Sequence, residues 1–402
     1  MAVFELRSPL SAEERLEKRK LIIRDVTALV SLFAITATLA VLTYFLFNSF
    51  STHRRELAQR WLKRGHTAMA NGHPEQAIQA LRSALEYDSD QRQTEVELAS
   101  ALAAAGQDAE AIAYFNTLLE SQPGDGLINL ELARLAVKQG REAQAVENYQ
   151  RALDGTWQGD GYLRRLSVRL ELSRYLLSRG ENSRARNQLL IAAGNAPDEP
   201  NVRLQIAGLL EQAQDPRSAF EIYRKIALGK TKRLEALQGA GRTAAELGRF
   251  LIAKQYLSRA MNEPGFDLQP QAIRDQVRNS LADAVHVLAL YPAPELTARA
   301  RAERIWHNVQ TSRERWMACS EGTTAAPNAP SLAQLSARWQ QLPSNLNQLK
   351  VMALERDPEL EQRLMTLVND TETITAQTCG TPTGEDALLL EIAKAPWAVE
   401  EQ

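Results

Sequence analysis

A spacing of 34 residues recurs through the middle of the chain and limits its fold more than any other feature. One place in the pattern is held by Ala77, Ala111 and Ala145, and another is held by Gly72, Gly106 and Gly140. Self-similarity at this period is typical of solenoids in which each unit is one supersecondary structure. We predict six units, at 58–91, 92–125, 126–159, 166–199, 200–233 and 234–267.

The residue types within each unit favour two packed helices. Alanine recurs where two helices would cross closely, and a larger side chain follows four residues later, as at Leu81, Phe115 and Tyr149. Aromatic residues make up only 6% of the chain, which suits helices better than sheets. The predicted fold class is therefore all-α: a helix-turn-helix solenoid with one N-terminal transmembrane helix and a C-terminal helical cap or domain.

The repeated residues resemble the tetratricopeptide repeat family. Those that carry the resemblance are Trp61, Gly65 and Ala68 in the first unit, and Ala111, Phe115, Leu118 and Pro123 in the second. The resemblance covers 58–267 and implies a right-handed superhelix whose concave face is formed mainly by the first helix of each pair. The chain departs from the family pattern where Arg64 replaces a leucine. Four units also lack the final proline, which is replaced by Ser89, Trp157, Thr231 and Gly265.

The resemblance also implies that a protein or peptide partner binds in the concave groove. The predicted groove residues are His66, Met69, Ser100, Leu130, Arg134, Val137, Arg174, Leu177, Glu211 and Arg242. Apolar positions with scattered arginines suit an extended peptide or a partner helix. The alternative interpretation is that these side chains are solvated or support neighbouring repeats.

An uncharged stretch of 22 residues at 26–47 predicts a membrane anchor. A helix of that length spans about 33 Å, enough for a hydrocarbon core of about 30 Å. Its apolar core is longer than that of a signal peptide, and no typical cleavage site follows. We predict a short polar tail at 1–25, an anchor at 26–50 and a juxtamembrane linker at 51–57.

The charges that flank the anchor do not decide its orientation. Residues 6–25 carry six lysines and arginines, and residues 51–70 carry five. The short tail is more easily left in the cytoplasm, which favours an exoplasmic (periplasmic) position for the large C-terminal part. The alternative is a cytoplasm-facing receptor or docking adaptor for soluble clients.

The 34-residue pattern fades after residue 267. Helices are predicted at 271–290, 295–317, 331–341, 345–354, 358–376 and 385–395. Repeat arrays need a polar end for solubility, so 268–402 is predicted to be a helical cap or domain.

Both cysteines lie in this C-terminal region, and each ends a predicted helix beside small, polar residues. Their context is compatible with a disulfide between Cys319 and Cys379, which would persist only in an oxidising compartment. The alternative is two unrelated reduced thiols. A disulfide would support the exoplasmic orientation.

Charge and motifs restrict the classes of function. The net charge is 47 − 49 = −2, which removes the electrostatic footprint of a nucleic-acid binder. The H-E-x-x-H, G-x-S-x-G and C-x-x-C motifs are missing, so no catalytic, metal or cofactor site is predicted. We expect a non-enzymatic, membrane-tethered scaffold that recruits or positions a protein in a cell-envelope assembly, secretion or biogenesis complex. An unrecognised enzyme within 268–402 is the less favoured alternative.

Overall fold

The computed structural model describes residues 12–89, 91–322, 330–342 and 351–394. The chain divides into two compact units, Met1–Gly159 (unit 1) and Asp160–Gln402 (unit 2). All elements named in the described part are helices, so the predicted all-α fold class is confirmed. The first eleven residues of the predicted tail, the start of the predicted helix at 345–354 and everything after 394 lie outside the described residues.

Unit 1 is a succession of helices that pack on their sequence neighbours. They are α1 (Ala12–Ala70), α2 (Pro74–Tyr87), α3 (Arg92–Ala104), α4 (Asp108–Ser121), α5 (Gly126–Lys138) and α6 (Glu142–Asp154). The recurring alanines Ala77, Ala111 and Ala145 are fully buried, as expected for close helix crossings. Phe115 is also fully buried, and it packs in one core with Leu98 and Leu102 of α3.

Helix α1 runs without a break from the predicted tail into the first repeat. Its 59 residues make a rod about 88 Å long. The predicted juxtamembrane linker, residues 51–57, is helical and forms part of α1. The physical reason is that neither glycine nor proline occurs from residue 10 to residue 64, so nothing interrupts the helical hydrogen bonds.

The apolar part of α1 is exposed. Within Arg15–Ala70, one window is long and apolar enough to cross a membrane by length and composition, and none of that window is buried. Phe33 is 75% exposed, and Phe47 is 72% exposed. This apolar surface therefore has no protein partner among the described residues.

Unit 2 begins with three helix pairs and continues into a longer helical region. The pairs are α7 (Gly161–Ser178) with α8 (Asn182–Asn195), α9 (Pro200–Gln212) with α10 (Pro216–Ala227), and α11 (Arg233–Glu246) with α12 (Phe250–Met261). A 3-10 turn at Phe266–Leu268 leads to α13 (Gln271–Leu290), α14 (Ala298–Gly322), α15 (Pro330–Gln341), α16 (Val351–Leu354), α17 (Pro358–Cys379) and α18 (Glu385–Lys394). The helix predicted at 271–290 is confirmed at both ends, whereas α14 begins and ends a few residues later than predicted.

A glycine ends the first helix of most pairs. Gly106 and Gly140 have φ values of +79° and +70°, a left-handed conformation that other residues rarely adopt. In the pair formed by α9 and α10, the corresponding turn is made by Gln214 at φ +59°. The boundaries of the six repeat units remain predictions: each unit contains all or part of two consecutive helices, and α1, α7 and α11 begin before the predicted boundaries.

A disulfide ties two helix ends in the C-terminal part of unit 2. It joins Cys319 of α14 to Cys379, the last residue of α17, and their Cα atoms are 5.7 Å apart. Beside it, Arg315 donates a hydrogen bond of 2.6 Å to the carbonyl oxygen of Gly380. Helices α14 and α17 are thus linked covalently and through polar contacts at the same end.

Candidate functional site

Three predicted groove residues, His66, Glu211 and Arg242, take part in contacts between consecutive first helices. In unit 1, Nε2 of His66 on α1 lies 2.6 Å from Oε2 of Glu97 on α3. In unit 2, Nη2 of Arg242 on α11 donates to both carboxylate oxygens of Glu211 on α9, at 3.0 and 2.8 Å. These cross-helix pairs show that the first helices of neighbouring pairs lie side by side in each unit.

We call the surface carrying these residues the first-helix face of each unit. In unit 1 it comprises His66, Met69, Ser100, Arg134 and Val137, and in unit 2 it comprises Arg174, Leu177, Glu211 and Arg242. All of these side chains are partly or largely exposed. The faces offer charged groups, hydrogen-bonding groups and apolar surface, a combination suited to binding a polypeptide.

Leu130 does not belong to this surface, and its prediction as a groove residue is wrong. Its side chain is only 7% exposed, so it lies in the interior of unit 1. The physical reason is its place on α5, where its neighbours in the helical periodicity, such as Ala133, are also buried.

The arginines predicted for the groove have different surroundings. Arg134 is held by Glu131 on its own helix, at 2.8 Å, and Arg242 is held by Glu211. Arg174 on α7 is exposed, and no hydrogen bond or ion pair joins its side chain to another residue in the described ranges. Among the three, the guanidinium of Arg174 is the cation that a partner can engage without breaking an existing ion pair.

A buried tyrosine lies beside the Glu211–Arg242 pair. Tyr223 of α10 is 5% exposed, and both burial and the neighbouring carboxylate of Glu211 raise the pKa of its hydroxyl. Burial and the charge of Glu211 also raise the pKa of Glu246, one turn after Arg242. One arginine, two carboxyl groups and a neutral phenol therefore share this part of the face.

Two glycines make room for the Tyr223 ring. A Cβ atom at Gly239 of α11 would lie 2.6 Å from the ring, and one at Gly208 of α9 would lie 3.8 Å from the hydroxyl oxygen. The ring therefore packs directly against the backbone of α11. The repeat pattern does not single out Tyr223 for this role, and the glycines on the two flanking first helices are the signal in the sequence that indicates it.

The C-terminal region contains carboxyl groups, but they do not line its cleft. A cleft of about 480 Å³ lies beside α15 and α17, and the described residues that line it include Arg338 and Arg363 but no carboxylate. Glu372 is buried between α14 and α17, and burial raises its pKa to about 7. In the described parts of the chain, no group of three or more histidine, cysteine or acidic side chains could hold a metal ion.

Several solved structures are similar to part of this chain. One is described as "Functional Characterization of Pseudomonas Aeruginosa pilF" (20% identity, 56% of this chain and 99% of that chain, TM-score 0.39). Another is "YrrB: a TPR protein with an unusual peptide-binding site" (18% identity, 50% and 100% coverage, TM-score 0.37). A third is "PilW, widely conserved type IV pilus biogenesis factor" (17% identity, 57% and 98% coverage, TM-score 0.37).

Family comparison matches two separate parts of the chain. A comparison with curated proteins gives no match. The model of the family described as "Tetratricopeptide repeat" matches residues 62–126 and 170–232, which fall in unit 1 and unit 2 respectively. Each matched part consists of the helix pairs described above. Two segments of this all-helical chain, residues 62–126 and 170–232, therefore resemble tetratricopeptide repeats.

Proposed function

We propose that this chain is a membrane-tethered scaffold that recruits a protein partner to its first-helix faces. The observation that carries the proposal is the pairing of Glu211 with Arg242 across α9 and α11. It places first-helix side chains on one shared surface while leaving them partly exposed. Repeats of this kind serve protein–protein interaction, so we assign binding rather than catalysis to the chain.

In unit 2, the partner segment we propose carries both acidic and apolar groups. Arg174 supplies an exposed guanidinium, and Leu177 lies three residues later on the same side of α7. An acidic side chain would pair with Arg174, and a neighbouring apolar side chain would pack on Leu177. The Glu211–Arg242 pair is already satisfied internally, so it shapes the surface more than it attracts charge.

The proposed tether is the exposed apolar part of α1, residues 26–47. In water, such a surface would cost about 25 cal/mol for each Å² of apolar area. A bilayer removes that cost, and the helix satisfies its own backbone hydrogen bonds there. Tethering also raises the effective concentration of the binding faces near other membrane components.

We place the large C-terminal part on the exoplasmic (periplasmic) side of the membrane. The Cys319–Cys379 disulfide favours this side, because disulfides persist in oxidising compartments. A scaffold in that position suits an assembly, secretion or biogenesis complex of the cell envelope.

A photo-crosslinking experiment tests the binding face. The amino acid p-benzoylphenylalanine is introduced at Leu177 on α7, or at Leu190 on α8 as the matched control, in the full chain in native membranes. Leu190 is an exposed leucine of the same helix pair but lies on the second helix. We expect discrete protein adducts from position 177 only, and their loss when Arg174→Glu is added. The same adducts from both positions, or adducts that survive Arg174→Glu, would contradict the proposed face.

A further inference from the structure

A basic groove lies at the free flank of unit 1, apart from the first-helix face. It has a volume of about 690 Å³ and is open to solvent. The residues lining it are Arg60, Trp61, Lys63, Arg64, Thr67, Ala68, Asn71, His73, Gln76, Gln79 and Ala80. All of them belong to α1, α2 or the turn between these helices.

The groove lies where a preceding helix pair would pack. Later in unit 1, α2 packs on α3 and α4 packs on α5, so a second helix covers the flank of each following pair. Arg60, Arg64 and Thr67 recur at helical spacing and form a stripe on α1, and Asn71 continues it in the turn that follows. His66, which contacts Glu97 of α3, lies away from that stripe. No residue of another described helix lines the groove.

The charge of the groove has one sign. Arg60, Lys63 and Arg64 contribute three cations, and the described residues that line the groove include no acidic side chain. The guanidinium of Arg64 stacks on the Trp61 ring, with its central carbon 4.5 Å from the ring centroid. The contact of Arg60 with Glu56 is long, at 4.0 Å, and both side chains are largely exposed. An incoming carboxylate therefore meets cations that no buried ion pair neutralises.

Distance along α1 argues against a lipid headgroup as the occupant. Arg60 follows residue 47, the end of the apolar stretch, by 13 residues, or about 20 Å of helix. Each headgroup layer is only about 5–8 Å thick. Within unit 1, α2 packs on α3 and α4 packs on α5, so a helix fits against a flank of this kind. We propose that the groove between α1 and α2 docks an acidic helix of a partner protein.

The test uses the full chain reconstituted in nanodiscs of neutral phosphatidylcholine. The probe is a dye-labelled synthetic amphipathic helix whose polar face carries only glutamate, and binding is measured by fluorescence anisotropy. The groove variant is Arg60→Gln/Arg64→Gln. The matched control is Arg54→Gln/Arg55→Gln, which removes two charges from the same helix outside the groove.

We expect the groove variant to bind the probe about tenfold more weakly and the control variant to bind within about twofold of the parent. If both variants bound the probe equally weakly, the binding would reflect general electrostatic attraction to α1, and the proposal would be overturned. Absence of probe binding to the parent chain would overturn it as well.

Two further measurements test whether the groove binds lipid and whether the probe binds the first-helix face of unit 2. Flotation with phosphatidylglycerol vesicles measures binding to anionic lipid. A groove variant that loses flotation but keeps probe binding would assign the groove to lipid and overturn the proposal. Arg174→Glu should leave probe binding within about twofold. A large loss in that variant would place the probe on the first-helix face of unit 2 instead.

Discussion

The hydroxyl of Ser312 on α14 donates a hydrogen bond of 2.6 Å to Oε1 of Glu372 on α17. The other carboxylate oxygen, Oε2, is buried and has no hydrogen-bond partner in the described residues. Burial raises the pKa of Glu372 to about 7, the charge of Asp386 adds to that effect, and the hydrogen bond from Ser312 and the charge of Arg315 oppose it. Helices α14 and α17 thus enclose a carboxyl group that exchanges its proton near neutral pH.

The first prediction concerns the stability of this region against pH. The pKa of Glu372 is higher in the folded chain than the ordinary 4.5, so folding favours the protonated form. Its contribution to stability is complete below about pH 4.5 and is lost as the pH rises through about 7. We expect Glu372→Gln to raise the free energy of unfolding at pH 8 by about 2 kcal/mol and to change it little at pH 4.

Thermal unfolding of the full chain in detergent, followed by circular dichroism at both pH values, checks this expectation. The control is Glu355→Gln, an exposed glutamate in the same region, which should leave both curves unchanged. Equal stabilisation by Glu372→Gln at pH 4 and pH 8 would point to improved packing and not to titration.

The second prediction uses the two glycines that face Tyr223. A methyl group at Gly239 would collide with the buried ring, so Gly239→Ala should lower the free energy of unfolding by about 1–3 kcal/mol. Gly208→Ala places its methyl group at ordinary contact distance and should stabilise the chain by about 0.5–1 kcal/mol through helix propensity. Urea denaturation of both variants provides the comparison. Equal effects would mean that Tyr223 does not fill the space between α9 and α11.

The third prediction concerns the disulfide. It closes a loop with a sequence separation of 60 residues, and bonds of this kind contribute about 2–4 kcal/mol. We expect Cys319→Ser/Cys379→Ser to lower the urea midpoint of the C-terminal transition, and we expect dithiothreitol to do the same to the parent chain only. Two thiols that react with maleimide in the unreduced, denatured chain would show that the bond is not formed in the cell.

The fourth prediction tests the tether and its direction. The full chain should stay in the membrane pellet after alkaline carbonate extraction, whereas Leu32→Arg/Leu39→Arg should be released, because each charge at the centre of a span costs about 2.5–3.5 kcal/mol. Leu228→Arg, at an exposed leucine of unit 2, serves as the control that stays in the pellet.

Reporter fusions after Gln402 give the direction of insertion. We expect alkaline phosphatase activity and no fluorescence from a reporter that folds only in the cytoplasm. The reverse pattern would support the cytoplasm-facing adaptor described above.

The sequence pattern predicts what repeats, because repeated burial leaves a periodic signal. The recurring alanines are buried at every position predicted for them in unit 1, and α13 begins and ends as its periodicity indicates. The polar composition of residues 51–57 does not by itself indicate their conformation. The missing glycines and prolines, which decide in favour of helix, were the more informative signal.

Contacts between side chains of different helices leave no periodic signal in the sequence. The ion pairs and buried positions of the candidate site therefore could not be predicted from it. The indole of Trp157, where the family pattern has a proline, fills the space above Gly126. The ion pair that holds Arg242 depends on the side-chain directions of two helices. Leu130 and Arg134 lie one helical turn apart, yet only the arginine is exposed, because the boundary of the buried face passes between them.

The unbroken course of α1 has a mechanical consequence for a chain anchored through 26–47. A helix advances about 1.5 Å and turns about 100° with each residue. The number of residues between the span and Trp61 therefore sets the height of unit 1 above the bilayer. It also sets the rotation of unit 1 about the axis of α1. One alanine inserted after Ser51 would turn unit 1 through more than a quarter of a circle, whereas a seven-residue insertion would restore the original bearing to within about 20°. The number of residues in α1 therefore determines the direction, around the helix axis, in which the first repeats face.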